Sequence, residues 1–284
     1  MSDSLALVTY PTIKQLLWQR LELALDLYLQ ENWQCELPQI AISWRQTKDY
    51  DRIAYVCAIA LGLSAVQNFP AMQIATRIAN GLNCATFTIN DFTVQVIPPG
   101  LIVVELTDRA IAARLKHLTQ YPPNRINSAV VNRDAQDLFN VQYTHARCCS
   151  LLHQAIRKNL IVLEKPVNGE QSAAIFCVTD FDAIAFLDAQ EQLLCCHAAE
   201  QALIVQLLSV FEYLNDTTAF PNWHKIAIHL SQAWQKFYAD CRIWGETKHN
   251  LHLRHARLGL TVITQSCLRL LLNDKLGIFA PQEL

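Results

Sequence analysis

The chain has 284 residues, 52% of them hydrophobic and 17% charged, with a formal net charge of −2. That length holds one large domain or two ordinary ones. A charged fraction below the roughly 25% of typical soluble domains provides a large core and leaves apolar surface for a partner. Residues 1–120 carry nine Lys/Arg against ten Asp/Glu, and residues 121–284 carry fourteen against fifteen. Neither half is a polycation, which excludes generic polyanion binding and confines any nucleic-acid contact to a local patch. One such patch exists: residues 223–257 hold six Lys/Arg, two Asp/Glu and five His.

In chain order, residues 11–30 have a helical pattern, with Ile13, Leu16, Leu17, Leu21, Ala24, Leu27 and Tyr28 on one side. Ile40–Trp44 reads as a strand. Arg52–Leu61 and Pro70–Leu82 read as helices joined by a loop ending in Asn68-Phe69-Pro70. Ala85–Ile89, Thr93–Ile97 and Leu101–Leu106 read as strands, turned by Asn90-Asp91 and interrupted at Pro98-Pro99-Gly100. Ala110–Leu118 closes an α+β domain, a small antiparallel sheet with helices, over residues 1–120. Tyr121-Pro122-Pro123-Asn124 begins a linker over 121–132, because two prolines cannot continue a helix. Residues 133–284 are mostly helical, except that Asn168-Gly169 within Leu160–Val178 gives a hairpin signal.

Residues 138–152 carry the most information. Val141-Gln142-Tyr143-Thr144-His145-Ala146-Arg147, followed by Ser150, resembles the first helix of the DALR anticodon-binding domain of arginyl-tRNA synthetases. Lys236-Phe237-Tyr238-Ala239-Asp240-Cys241-Arg242-Ile243, then Arg254-His255-Ala256-Arg257-Leu258-Gly259-Leu260, then the closing Leu276-Gly277-Ile278-Phe279-Ala280-Pro281-Gln282-Glu283-Leu284 follow in that family's order. The first domain resembles the synthetases' N-terminal additional domain through Asp49-Tyr50 and Val94–Ile102. Cysteinyl-tRNA synthetases carry DALR domains without that module. The resemblance implies a mainly α-helical DALR-type domain over 133–284 and a tRNA partner, an arginine-type tRNA held chiefly at its anticodon arm.

Two departures qualify it. Synthetases read the tRNA elbow with an aromatic and an amide, where Leu101 and Val103 stand here. Leucine stacks poorly and valine cannot hydrogen-bond a base edge, which removes the grounds for elbow reading. Synthetases also place an ATP-binding domain between the two modules, and the interval here, about residues 119–133, is too short for one. The seven glycines, at 62, 81, 100, 169, 245, 259 and 277, form no phosphate-cradling loop. No adenylate chemistry, catalytic residue or cofactor is expected.

The candidate binding residues come from helical spacing. On the first DALR helix, Leu138, Val141, His145, Cys148, Leu152 and Ile156 form the apolar stripe, which makes His145 a hydrogen-bonded core histidine. Tyr143 and Arg147 sit i, i+4 on another face. They equip the helix to stack an unpaired base and hold its phosphate; equally, they suit a surface tyrosine packed on an arginine stem. Tyr238 and Arg242 repeat that spacing beside a buried stripe of Ile226, Leu230, Trp234, Phe237 and Cys241. Trp244 suits either stacking or the core. Asn250, Arg254, Arg257, Thr261 and Thr264 follow one polar face, making Arg254 and Arg257 phosphate candidates. The Leu284 carboxylate would repel phosphate.

His249, His252 and His255, Cys148-Cys149 and Cys195-Cys196-His197 match no zinc-site spacing, so no metal is expected. Ten cysteines without a CxxC, no signal-peptide pattern at the N-terminus and no membrane-length apolar run read as a reduced cytoplasmic protein. The rival to tRNA binding is a regulatory or protein-interaction module that kept the fold and lost RNA.

Surfaces that face the catalytic domain in a synthetase need another cover here, and two-fold self-association is the commonest solution. A homodimer is the preferred expectation; the alternatives are that the two modules pack on each other or that a protein partner covers the same surface. Light scattering across a concentration series is expected to show the dimer. A monomer at every concentration, with the two modules tumbling independently in NMR relaxation and no captured partner, overturns the expectation.

Overall fold

A capping box opens the chain's first described element. Thr12 Oγ1 accepts from the Gln15 amide at 3.1 Å, and Gln15 Oε1 accepts from the Thr12 amide at 2.8 Å. The pair satisfies two donors that a helix start leaves free. The computed structural model describes residues 11–32, 43–47, 53–84, 91–120, 138–162, 184–215, 221–245 and 250–284. These fall into two units, one running to Glu105 and one from Leu106 onward.

The first unit holds α1 (Ile13–Asn32), β1 (Trp44–Gln46), β2 (Ala54–Cys57), α2 (Ile59–Gln67), α3 (Ala71–Cys84), β3 (Phe92–Ile97) and β4 (Leu101–Leu106). The strands form one antiparallel sheet in the order β1-β2-β4-β3. Arg45 lies opposite Val56, and Tyr55 opposite Val104. Ile13, Leu17, Leu21, Ala24, Leu25 and Tyr28 bury one side of α1 against α3. Leu25 takes the core position expected of Leu27, which is exposed. α2 continues through Gln67, past the end at Leu61 read from sequence and into the stretch read as loop, and Asn68 closes it in the left-handed region (φ 54°) with its N–H on the Ser64 carbonyl.

The start of this element differs from its sequence reading as well. Arg52–Leu61 is not a single helix: Ala54–Cys57 forms β2, between β1 and β4, and the helix starts only at Ile59. The apolar run Ile53–Leu61 has no period long enough to separate a buried strand from a buried helix start, and sheet pairing decides. In β4, Ile102, Val104 and Leu106 face the core, while Leu101 and Val103 lie on the more open side. β1 meets the strand expected at Ile40–Trp44 only at Trp44: Ser43 is not in a strand, and residues 40–42 lie outside the described residues. So do the strand expected at Ala85–Ile89, the linker 121–132 and most of the hairpin expected within Leu160–Val178.

The second unit is helical: α4 (Asp108–Gln120), α5 (Phe139–Arg157), α6 (Ala198–Asn215), α7 (Trp223–Asp240) and α8 (Leu251–Leu270), which runs into a π-helical turn at Leu271–Leu276. Asn222 and Asn250 cap α7 and α8 by accepting from the amides of Lys225 and Leu253. α8 is the axis, packed against α4, α5, α6 and α7. An irregular segment from Ile184 crosses α8 at Gly259, where a β-carbon would sit 2.8 Å from Phe186 Cζ and 2.9 Å from Ile184 Cγ2. Asp108 Oδ2, on α4, accepts from the Leu193 amide of that segment. An α+β part followed by a mainly α-helical part is the fold class expected from sequence. No described helix is long and apolar enough to cross a membrane.

The β3–β4 turn carries the sharpest backbone demand in the first unit. Gly100 has φ 133°, and a β-carbon there would lie 2.9 Å from both the carbonyl carbon and Cβ of Ala71. Strain and overlap then act together, so Gly100→Ala is expected to destabilise this unit by roughly 2 kcal/mol. Urea denaturation checks this, and an unchanged midpoint overturns it.

Candidate nucleic-acid interface

The candidate face is built where α5 crosses α7. The helical period sends Val141, His145, Cys148 and Leu152 into the core and leaves Tyr143 and Arg147 outside. A polar seam joins the helices beneath. Gln235 Nε2 donates to Thr144 Oγ1 at 2.7 Å, and Thr144 Oγ1 donates to the Asn140 carbonyl at 2.8 Å. Further along the crossing, Arg147 Nη2 donates to the Tyr238 hydroxyl at 3.0 Å, with its guanidinium carbon 5.4 Å from that ring's centre. Tyr238 in turn stacks on the buried Trp234, ring centres 5.1 Å apart and planes within 3°.

The structure thus regroups the expected pairs. Arg147 belongs with Tyr238 across two helices, rather than with Tyr143 along one. Tyr238 has one ring face against Trp234 and Arg147 over the ring, so it supports and orients Arg147 more than it offers a surface. Tyr143 is the open ring, 47% exposed.

Sequence reading missed two neighbours. Phe139 stands one turn before Tyr143 on α5 and is exposed, and Phe279 is exposed in the tail. Gln142 Nε2 donates to the Phe279 carbonyl at 2.8 Å, which holds the tail against the same stretch of α5. The Phe139–Tyr143 spacing was legible as i, i+4; the tail's return was not.

The loop after α7 holds a second group. Arg242 is exposed. Trp244 is half-buried, with Lys158 Nζ 4.9 Å from its ring centre and its indole N–H enclosed without a hydrogen-bond partner. Arg254 is half-buried in the first turn of α8.

Arg257 is a correction. It is 8% exposed, its Nε donating to Glu200 Oε1 at 2.6 Å and its Nη1 to the Arg242 carbonyl at 2.7 Å. A guanidinium spent on a buried carboxylate and a carbonyl has no charge to offer a phosphate. The polar face that pointed to it is internal as well. Thr261 and Thr264 are fully buried and return their hydroxyls to the carbonyls of Arg257 and Leu260.

Comparison with known proteins now bears on this face. Residues 141–284, just over half the chain, match the DALR anticodon binding domain. The chain belongs to the DALR anticodon-binding domain family. An arginine–tRNA ligase of Synechococcus is 29% identical over 147 residues, 51% of this chain and 22% of the ligase. That of Clostridioides difficile is 31% identical over 144 residues, 51% and 20% respectively, and that of Gloeobacter violaceus 29% over 136 residues, 46% and 20%. The chain thus spans about a fifth of the length of these relatives. No solved structure matches significantly.

His145 fits its expected core role. It is 1% exposed; its Nδ1 donates to the Pro281 carbonyl at 2.7 Å, and its Nε2 accepts from Gln265 Nε2 at 3.0 Å. Burial, only partly offset by the Pro281 bond, lowers its pKa to about 4. Burial likewise pushes the Cys149 and Cys267 thiols up to about 12, which suits packing rather than nucleophilic chemistry.

An unfolded histidine titrates near 6.5. Between that value and the folded one, the unfolded chain takes up the proton first. Stability is therefore full above about pH 6.5 and falls as pH drops toward 4, by roughly 2–3 kcal/mol for this group. Urea midpoints between pH 7 and 4.5 are expected to show the loss. In His145→Gln, which cannot titrate, this part of the slope is expected to vanish; an identical slope overturns the assignment.

Proposed function

We propose that this chain is a non-catalytic tRNA-binding protein that holds the anticodon arm, of an arginine-type tRNA, on the α5–α7 face. The observation that carries this is the exposed Arg147, oriented by Tyr238 over Trp234, one turn from the open ring of Tyr143. Family membership adds weight, and so does the name of the relatives, arginine–tRNA ligase. Tyr143 supplies a stacking surface, and Arg147 and Arg242 supply phosphate contacts. Trp244 and Arg254 are the further candidate contacts. Arg257 is left out as a contact because its charge is already neutralised. The domain reading joins this proposal: a synthetase-like additional module ahead of the anticodon-binding module, with no adenylate-forming domain between them.

A regulatory protein-interaction module is the second reading. The buried Arg257 and the open-side Leu101 and Val103 favour it, since each removes a group that RNA would need.

Gel-shift titration against total tRNA, then single tRNAs, separates the two. Affinity is expected to fall with salt as phosphates displace counterions. Arg147→Ala and Arg242→Ala are expected to weaken binding across sequences and to lower the salt slope by about one each. Tyr143→Ala is expected to cost on the order of 1–3 kcal/mol. Arginine-dependent ATP–pyrophosphate exchange is expected at background. Folded variants that all bind like the parent, or exchange above background, overturn the proposal.

A further inference from the structure

Arg257 does more than balance a buried charge. Its Nε holds Glu200 Oε1 at 2.6 Å while its Nη1 reaches out to the carbonyl of Arg242 at 2.7 Å. Glu200 is itself fixed, its Oε2 accepting from the His197 amide at 2.9 Å. The loop that starts at Cys241 is therefore tied to α6 and α8 through one guanidinium. Cys241 is buried, with its Sγ 3.3 Å from His197 Nδ1, so the same neighbourhood grips the loop a second time. From there the chain runs Arg242 exposed, Ile243 buried, Trp244 half-buried and Gly245 at φ 92°.

We infer that Glu200–Arg257 is a positioning pair, which sets Arg242 and Trp244 for RNA without touching RNA. This rests on the tRNA-binding reading above. Two apolar side chains would fill the same space, and a buried ion pair gains little over them once desolvation is counted. They would give the Arg242 carbonyl no donor. A planar guanidinium serves a carboxylate and a carbonyl at once, which a single ammonium on a shorter reach does not. The bridge also explains why an arginine within a basic cluster points inward.

Arg257→Lys in the full chain tests this, because it keeps a cation beside Glu200 and gives up the Arg242 carbonyl. Hydrogen exchange over Cys241–Gly245 is expected to rise about tenfold, with the interiors of α7 and α8 unchanged. tRNA affinity is expected to fall about three- to tenfold with the parent's salt slope, unlike Arg242→Ala, which lowers the slope by about one. Combined with Arg242→Ala, the two losses are expected to be less than additive. Should Arg257→Lys fail to fold, Glu200→Gln keeps an acceptor for Arg257 and is expected to raise exchange in the same loop. Unchanged exchange overturns the inference whatever RNA does, and so does an affinity loss with a slope lowered by about one, the mark of a direct phosphate contact. If the loop loosens and the parent binds no tRNA, positioning of the loop stands and the tRNA reading falls.

Discussion

The enclosure of α8 is the constraint on which the second unit depends. α4, α5, α6 and α7 pack around it, and every residue from Ala256 to Leu270 is buried. A helix covered on all sides has no solvated face, so each polar side chain on it needs an internal partner. Thr261 and Thr264 bond back to their own helix. Gln265 donates to His145, which donates to the Pro281 carbonyl and so fastens the tail. Arg257 takes Glu200 from α6 and a carbonyl from the loop after α7. The polar residues of one buried helix thereby fix the tail, α6 and the α7 loop relative to α5.

The outer face inherits its geometry from that interior. Val141, His145, Cys148 and Leu152 hold one side of α5, and Leu230, Trp234 and Phe237 hold α7. With both helices pinned, the Thr144–Gln235 seam keeps them in register, and Arg147 meets Tyr238 across the crossing. Trp234 contributes in both directions, since its ring is buried in the core and still supports Tyr238 from below. Preorganisation of this kind reduces the ordering that a ligand must otherwise supply.

Much of the fold was legible as period and punctuation. The apolar period of residues 11–30 marks α1, and Pro98-Pro99-Gly100 marks the turn between β3 and β4. The buried stripes of α5 and α7 follow their 3.6 period closely, with Ile226 and Ile156 less buried than the rest. β2 was not legible, because Ile53–Leu61 is apolar throughout and only pairing with β1 and β4 separates its strand from the helix that follows. Of the site, Tyr143 and Arg147 were legible as outward residues. The partner of Arg147 was not, since it lies 91 residues away.

By itself, then, the sequence determined the apolar stripes that α5 and α7 turn inward, where several helices begin and end to within a few residues, and which family the second unit resembles. Those properties depend on neighbours within a turn or two, or on motifs read in order. Only the tertiary structure decided the role of each arginine. Arg147 and Arg257 are both basic residues on helices with the same period, and a local pattern assigns them the same outward job. The physical difference is what packs over each helix: one side of α5 stays open to water, while α8 is enclosed, so one guanidinium stays exposed and the other must find a buried carboxylate.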